Sequence, residues 1–337
     1  MSSPLYLFRL PQLVYINIIN SMSTTDQSYI SFCSRKTYST IKHLARRFEK
    51  VVLDTYADHT VMFGDSTFRI KSNRKNQEIS NEKVKINGQW VDCEVNTEFN
   101  MIGLFWEEDP LFGLMKSIEY VTDLFHTDIS SMTLYENVDD RLLNLVQQRQ
   151  RNLQLVKVYT DSSKNEIYDA EKLKNIIRSC TSEIFQLNAR SSEELEIPNY
   201  YIKCNMFACL IGKWITLETV MRIDCEEIYL CETIFTVVEL NRFLKHWING
   251  GSPRLKTFYA SAENNHYNEL FDGIENDRKE ETLVYQSTHG KYKLTFRRWY
   301  QIKRNDGVTA AVEFAFNFHY NRYFLQFAVW PVEHGNS

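Results

Sequence analysis

From about residue 130 onward the chain sets short apolar runs, at 132–134, 155–159, 184–187, 228–230 and 255–259, between stretches of helical periodicity at 141–148, 170–178 and 237–247. This succession restricts the fold more than any other feature. Strand, helix, strand order argues for a parallel sheet with right-handed crossovers. The spacing is irregular but repeat-like, so a leucine-rich-like arc is expected, each unit burying its face against the next, although the usual asparagine ladder is missing.

The flanking regions read differently. Between residues 48 and 92, short alternating runs at 51–53, 60–63, 67–70 and 84–90 are punctuated by Gly64-Asp65 and Asn87-Gly88, which supply the positive φ that tight hairpins need. A small antiparallel sheet is expected there, with a solvated polar loop over 71–82 and a helix over 111–125. The tail alternates again at 282–286, 292–302, 310–318 and 323–329, with Gly290 and the Asn305-Asp306-Gly307 corner as turns. It predicts an antiparallel meander. Phe314, Phe316, Phe318, Phe324 and Phe327 would suit a base-stacking platform, but cross-strand packing is the commoner use of aromatics on a strand face.

Composition sets limits. Apolar residues make up 43% of the 337, and 39 basic residues against 43 acidic ones give a net charge of -4, which supplies no global field for nucleic acid or an anionic membrane. The apolar stretch over 5–22 lacks a basic leader and is interrupted by Arg9, Pro11, Asn17 and Asn20, so neither a signal sequence nor a membrane span is expected. Seven scattered cysteines, with no Cys-x-x-Cys, read as reduced buried thiols of a cytoplasmic or nuclear protein. Even if folding brought Cys225 and Cys231 together, no further pair completes a zinc set, and no metal or cofactor is expected.

At the N-terminus, Val14, Ile18, Ile19 and Met22 recur at helical spacing after Pro11. Residues 23–26 (STTD) then offer N-cap oxygens for a second helix carrying Tyr29, Ile30 and Cys33. A third follows with Tyr38, Ile41 and Leu44, among Arg35, Lys36 and the Arg46-Arg47 pair. Three helices this short cannot bury their apolar residues alone, so a binding partner is the economical answer.

Leu7-x-x-Leu10-Pro11, followed by Val14, Ile18, Met22, Ile30 and Ser34-Arg35, resembles an F-box. Met22 stands where leucine is commoner, Gln12 replaces an acid, and the late tryptophan of many F-boxes is absent, with Tyr38 nearby. The resemblance implies a segment, residues 1–46, that docks on the Skp-type linker and through it on the cullin and RING subunits of a ubiquitin ligase. It would do so through Leu7, Leu10, Pro11, Val14, Ile18, Met22, Ile30 and Ser34.

A second resemblance lies further on. Ile215-Thr216-Leu217-Glu218, Asp224-Cys225, Ile228-Tyr229-Leu230, the run 240–251 (LNRFLKHWINGG) and Pro253-Arg254-Leu255 are similar to the type-two F-box-associated domain of a large nematode-expanded F-box family. Tyr300-x-Ile302-x-Arg304-Asn305-Asp306-Gly307 with Ala310-Ala311 closes the signature, which is strongest over 214–312. The domain, taken as 47–337, is implied to recruit protein substrates, on loops expected between 139 and 264. The fold class implied is α+β: a three-helix F-box, strand-helix repeat-like units, and a C-terminal meander.

The signature residues also read structurally. Phe243, Leu244 and Trp247 suit a core-facing helix, and Asn249-Gly250-Gly251 a helix terminator. His246 lacks a carboxylate or nucleophile at any motif spacing and reads as a half-exposed helix residue. No nucleophile elbow, phosphate-binding loop, zincin helix or dinucleotide fingerprint occurs. A non-catalytic ligase adaptor is therefore expected, the alternative being a scaffold that binds the linker without delivering a substrate.

Overall fold

The structure is a computed structural model that describes residues 7–45, 50–56, 58–71, 82–106, 109–135, 140–150, 153–161, 167–193, 202–263, 269–290 and 292–330. The chain divides into two compact units, Met1–Leu153 and Gln154–Ser337.

The first unit opens with a 3-10 turn, Leu7–Arg9, then α1 (Gln12–Ser21), α2 (Thr24–Ser31) and α3 (Arg35–Leu44). Pro11 precedes α1 with its φ fixed at -54°, a conformation ready for a helix start. Ser23 caps α2 by accepting the Asp26 amide at 3.0 Å, and Ser34 caps α3 by accepting that of Thr37 at 3.1 Å. These caps set the breaks between helices, because each satisfies an amide that the helix itself leaves unpaired.

Six strands follow: β1 (Val51–Asp54), β2 (His59–Phe63), β3 (Ser66–Lys71), β4 (Lys83–Ile86), β5 (Gln89–Asn96) and β6 (Met101–Phe105). Then come α4 (Pro110–Leu124), β7 (Ser131–Tyr135) and α5 (Asp140–Arg149). The strand order in this unit is β7-β1-β2-β3-β6-β5-β4. Gly64 (φ 55°) turns β2 into β3, and Asn87 and Gly88 (φ 47° and 91°) turn β4 into β5. The apolar run at 84–90 is therefore a hairpin, not one strand. Most of the expected polar loop, 72–81, and the Arg46-Arg47 pair lie outside the described residues.

Helix α4 starts at a Pro behind the Asp109 cap and lays Leu114, Ile118, Val121 and Leu124 against the sheet, all fully buried. Gly113 lets the helix approach Trp106: a Cβ there would fall 2.3 Å from the indole. In an open helix, Gly→Ala gains about 1 kcal/mol. Here the overpacking outweighs that gain, and Gly113→Ala is expected to destabilise the unit by about 1–3 kcal/mol; a urea midpoint at or above the wild-type value would contradict this.

The second unit runs β8 (Leu153–Tyr159), α6 (Ala170–Ser179), β9 (Ser182–Asn188), β10 (Met206–Cys209), α7 (Leu217–Met221), β11 (Glu227–Phe235), α8 (Val237–Ile248) and β12 (Thr257–Ala262). Six strands close it: β13 (Asn276–Lys279), β14 (Leu283–Gln286), β15 (Lys293–Phe296), β16 (Trp299–Lys303), β17 (Thr309–Asn317) and β18 (Arg322–Trp330). Strand order is β8-β9-β10-β11-β12-β18-β17-β16-β13, with β14-β15 as a separate ribbon. Pairs β9–β10, β10–β11 and β11–β12 are parallel, the last two joined through α7 and α8 as strand-helix alternation requires. The crossover helices are unequal, with 10, 5 and 12 residues in α6, α7 and α8.

Alternation of side chains gives this sheet two covered faces. On one, α8 buries Leu240, Phe243, Leu244 and Trp247 completely, with Phe243 stacked on Phe258 at 4.1 Å and Trp247 edge-on to Phe327 at 5.0 Å. On the other, Leu294 and Phe296 of the ribbon pack with Met206, Tyr229 and Ala328.

One of the alternating runs of the tail is interrupted. The run 292–302 splits into β15 and β16 because buried Glu313 accepts the Arg297 amide at 2.9 Å and the Arg298 amide at 3.3 Å. Those amides are lost to any strand ladder, and the chain leaves the sheet there. Strand β13, sequence NDRK, was invisible to apolar patterning because it carries no apolar residue.

Candidate protein-docking surface

Helix α1 has an inner and an outer face. Ile19 points inward and is buried, as is Ile41 of α3. The bundle rests on its own unit: Phe32 contacts the Phe68 and Tyr120 rings at 6.1 and 5.1 Å, Thr25 donates to Ser66 at 2.9 Å, and Lys42 pairs with Asp123 at 2.7 Å. The three helices therefore cover part of their apolar surface within the chain, and the rest is left outward.

That remainder lies along the N-terminal half of the segment. Pro11 is exposed, Val14 is 43% exposed, and Leu7, Leu10, Ile18, Met22 and Ile30 are half-buried. Leu13, 77% exposed, extends the patch and was not singled out from the sequence, although it stands three residues from Leu10. Ser34 is the helix cap described above, so its hydroxyl is engaged at home. Phe8 closes the near end, with Tyr15 edge-on at 5.6 Å and the Lys36 ammonium 4.5 Å over its ring.

Electrostatics around the bundle hold it in place and activate nothing. Tyr29 donates to Glu82 at 2.6 Å; that bond, with partial burial, pushes its hydroxyl up to about 12. Tyr38 is raised by burial and by its bond to Asp123. Partial burial works to raise the Asp123 carboxyl, but hydrogen bonds from Lys42 and Tyr38 hold it below the ordinary carboxylate value.

Elsewhere burial pushes up the thiols of Cys93, Cys180 and Cys209, the reverse of what an activated nucleophile needs. Six cysteines are buried and Cys33 is exposed; Cys225 lies against Cys204 and not Cys231, at 2.8 Å between sulfurs. His246, lowered by burial, has the Ser252 hydroxyl 3.4 Å away and, among the described residues, no carboxylate bonded to it. Among the described residues no three His, Cys, Asp or Glu side chains are placed to hold a metal, and no helix is long and apolar enough to cross a membrane.

The signature of the second unit is structural. The Asn305 amide donates to Ile248 O at 3.0 Å, its side chain donates to Asn249 at 3.2 Å, and the Arg304 guanidinium lies 5.3 Å over Trp247. Two sequence stretches more than 50 residues apart thus form one clasp at the end of α8. Gly250, at φ 88°, supplies the left-handed turn there.

A helix that is aliphatic and exposed on its outer face and anchored on its inner face suits docking of a protein. Comparison with known families agrees: residues 7–49 match the F-box domain, and residues 197–260 match the F-box associated family. The chain is an F-box protein with an F-box-associated domain, an arrangement that belongs in general to substrate adaptors of SCF-type ligases. No curated protein and no solved structure matches it.

Proposed function

We propose that this chain is the substrate-recognition subunit of an SCF-type cullin-RING ubiquitin ligase, without catalytic chemistry of its own. The observation that carries the reading is the aliphatic outer side of the segment from Leu10 through α1, with Pro11, Leu13 and Val14 exposed and Leu10 and Ile18 half-buried beside them, within the span that matches the F-box. Aliphatic anchors on a preformed helix suit a groove on a Skp-type linker, which would bring the cullin and RING subunits. The F-box-associated unit recruits the protein target through loops on its strand-helix scaffold, where variation leaves the core untouched. The signature at 214–312 supports placing the chain in the nematode-expanded branch of the family. The reduced thiols suit the cytoplasm or nucleus.

The test is binding of the purified full chain to a purified Skp-type linker by calorimetry. A dissociation constant below about 1 µM, near −8 kcal/mol, is expected. Absence of heat and of a co-eluting complex at tens of times about that concentration would remove the ligase assignment.

A further inference from the structure

The parallel strands of the second unit end in a cleft of about 580 Å³, floored by Trp214 and lined by Ile167, Arg190, Lys213 and Glu232. Carboxyl ends of parallel strands are where such sheets hold ligands, because connections there diverge and leave a crevice. The walls are built, not incidental. Trp214 Nε1 donates to Ala189 O at 2.8 Å, and the Leu210 amide donates to the Asn188 side chain at 3.1 Å, tying the loops after β9 and β10 together. Gly212 approaches β11 so closely that a Cβ would fall 2.8 Å from Cys231 O. Glu232 stands in a β11 irregularity with φ 52°. Non-glycine residues rarely take that conformation, and bulges gather where a side chain must be re-aimed.

Charge is ordered across these strand ends. Arg190 follows β9, Lys213 follows β10, and Glu232 belongs to β11. Among the described residues none of the three has an ion-pair partner. Beyond them, on the far side of β12, the β17–β18 hairpin holds up Phe318, 88% exposed. The Asn317 side chain accepts the amides of His319 and Tyr320 at 2.9 and 3.4 Å, and Arg322 donates to Thr233 O at 3.4 Å, fastening the hairpin to the β11 irregularity. A bare aromatic on a fastened turn is an anchor whose ordering cost is already met by the fold.

We infer that this edge is the target-docking surface, and that its occupant is an extended segment of a partner protein reading anionic, then basic, then large apolar across the strand ends. The inference deepens the adaptor reading and rests on it. Arg190 and Lys213 take the anion, Glu232 the basic side chain, and Phe318 with half-exposed Ile234 the apolar one. Neighbouring strands are about 4.8 Å apart and an extended chain rises about 3.3 Å per residue, so the three residues stand about three apart. Glu193, the cleft's other acid, opposes a second anion, so an isolated anionic side chain fits and an acidic run does not.

The test uses the full chain and fluorescein-labelled peptides carrying Glu, Lys and Phe in that order at about three-residue intervals in both chain directions, against shuffled controls of equal composition. One ordered peptide is expected to bind at least about tenfold tighter than the shuffled ones. Lys213→Glu and Phe318→Ala each weaken it at least about tenfold. A Lys-for-Glu peptide recovers binding to Lys213→Glu only. A phosphoserine-for-Glu peptide that gains a further tenfold or so identifies the anion as phosphate; otherwise it is carboxylate. Equal binding of ordered and shuffled peptides, or none at millimolar concentration, overturns the inference. Neither variant should change linker binding, so loss of the linker complex with ordered-peptide binding intact would sink the ligase reading and leave this surface standing.

Discussion

Leu13→Glu combined with Val14→Glu is expected to lower affinity for a Skp-type linker by about a thousandfold or more while leaving the first unit folded. Burying each aliphatic side chain in a groove contributes about 2 kcal/mol, and a carboxylate in the same desolvated place adds an opposing cost. The loss therefore exceeds about 4 kcal/mol, which is the thousandfold figure. The sign for folding is opposite. Both positions lie in the first turn of α1, largely in solvent, where acidic side chains favour the positive end of the helix dipole. Circular dichroism and the melting temperature should be unchanged or slightly improved. Retained linker affinity in a folded variant would show that docking does not use this side of α1.

Trp247→Ala is expected to cost about 3–5 kcal/mol in the second unit and to lower its melting temperature by about 6–20 °C. The indole is fully buried between Phe327 and the Arg304 guanidinium, so its removal opens a cavity and frees the Arg304–Gly307 corner at once. Linker binding by the first unit should persist. A melt within about 2 °C of wild type would mean that the clasp relaxes to fill the space.

Much of this arrangement was legible in the residues because short-range chemistry dictated it. The stretch 23–26 offers cap oxygens and Ser23 is the cap in the fold, whereas Ser34 was expected at the linker and is also a cap; Gly64, Asn87 and Gly88 turn where positive φ was called for. The core-facing side of α8 followed from the spacing of Phe243, Leu244 and Trp247. What escaped was long-range. No periodicity announces that Glu313 takes the amides of residues 297 and 298 and so breaks an apolar run, or that Gly113 exists to admit Trp106. The aliphatic positions expected to dock were read from spacing and resemblance, but their division into an inner and an outer face needed the sheet beneath them. Leu13 was missed for that reason: an exposed leucine between patterned positions carries no signal until its surroundings are known.

Strand β13 bears on a different matter, the behaviour of the chain when concentrated. It ends its sheet, and an open sheet edge is a template on which another chain can add as a further strand. Its Asn276, Asp277 and Arg278 are exposed, and Asp277 and Lys279 are ion-paired across one residue. A strand laid on this edge would strip water from four polar side chains and gain no apolar contact. Growth from this end of the sheet into fibrils is thereby made unfavourable, so the unit can keep an aromatic hairpin uncovered without inviting its own copies to stack.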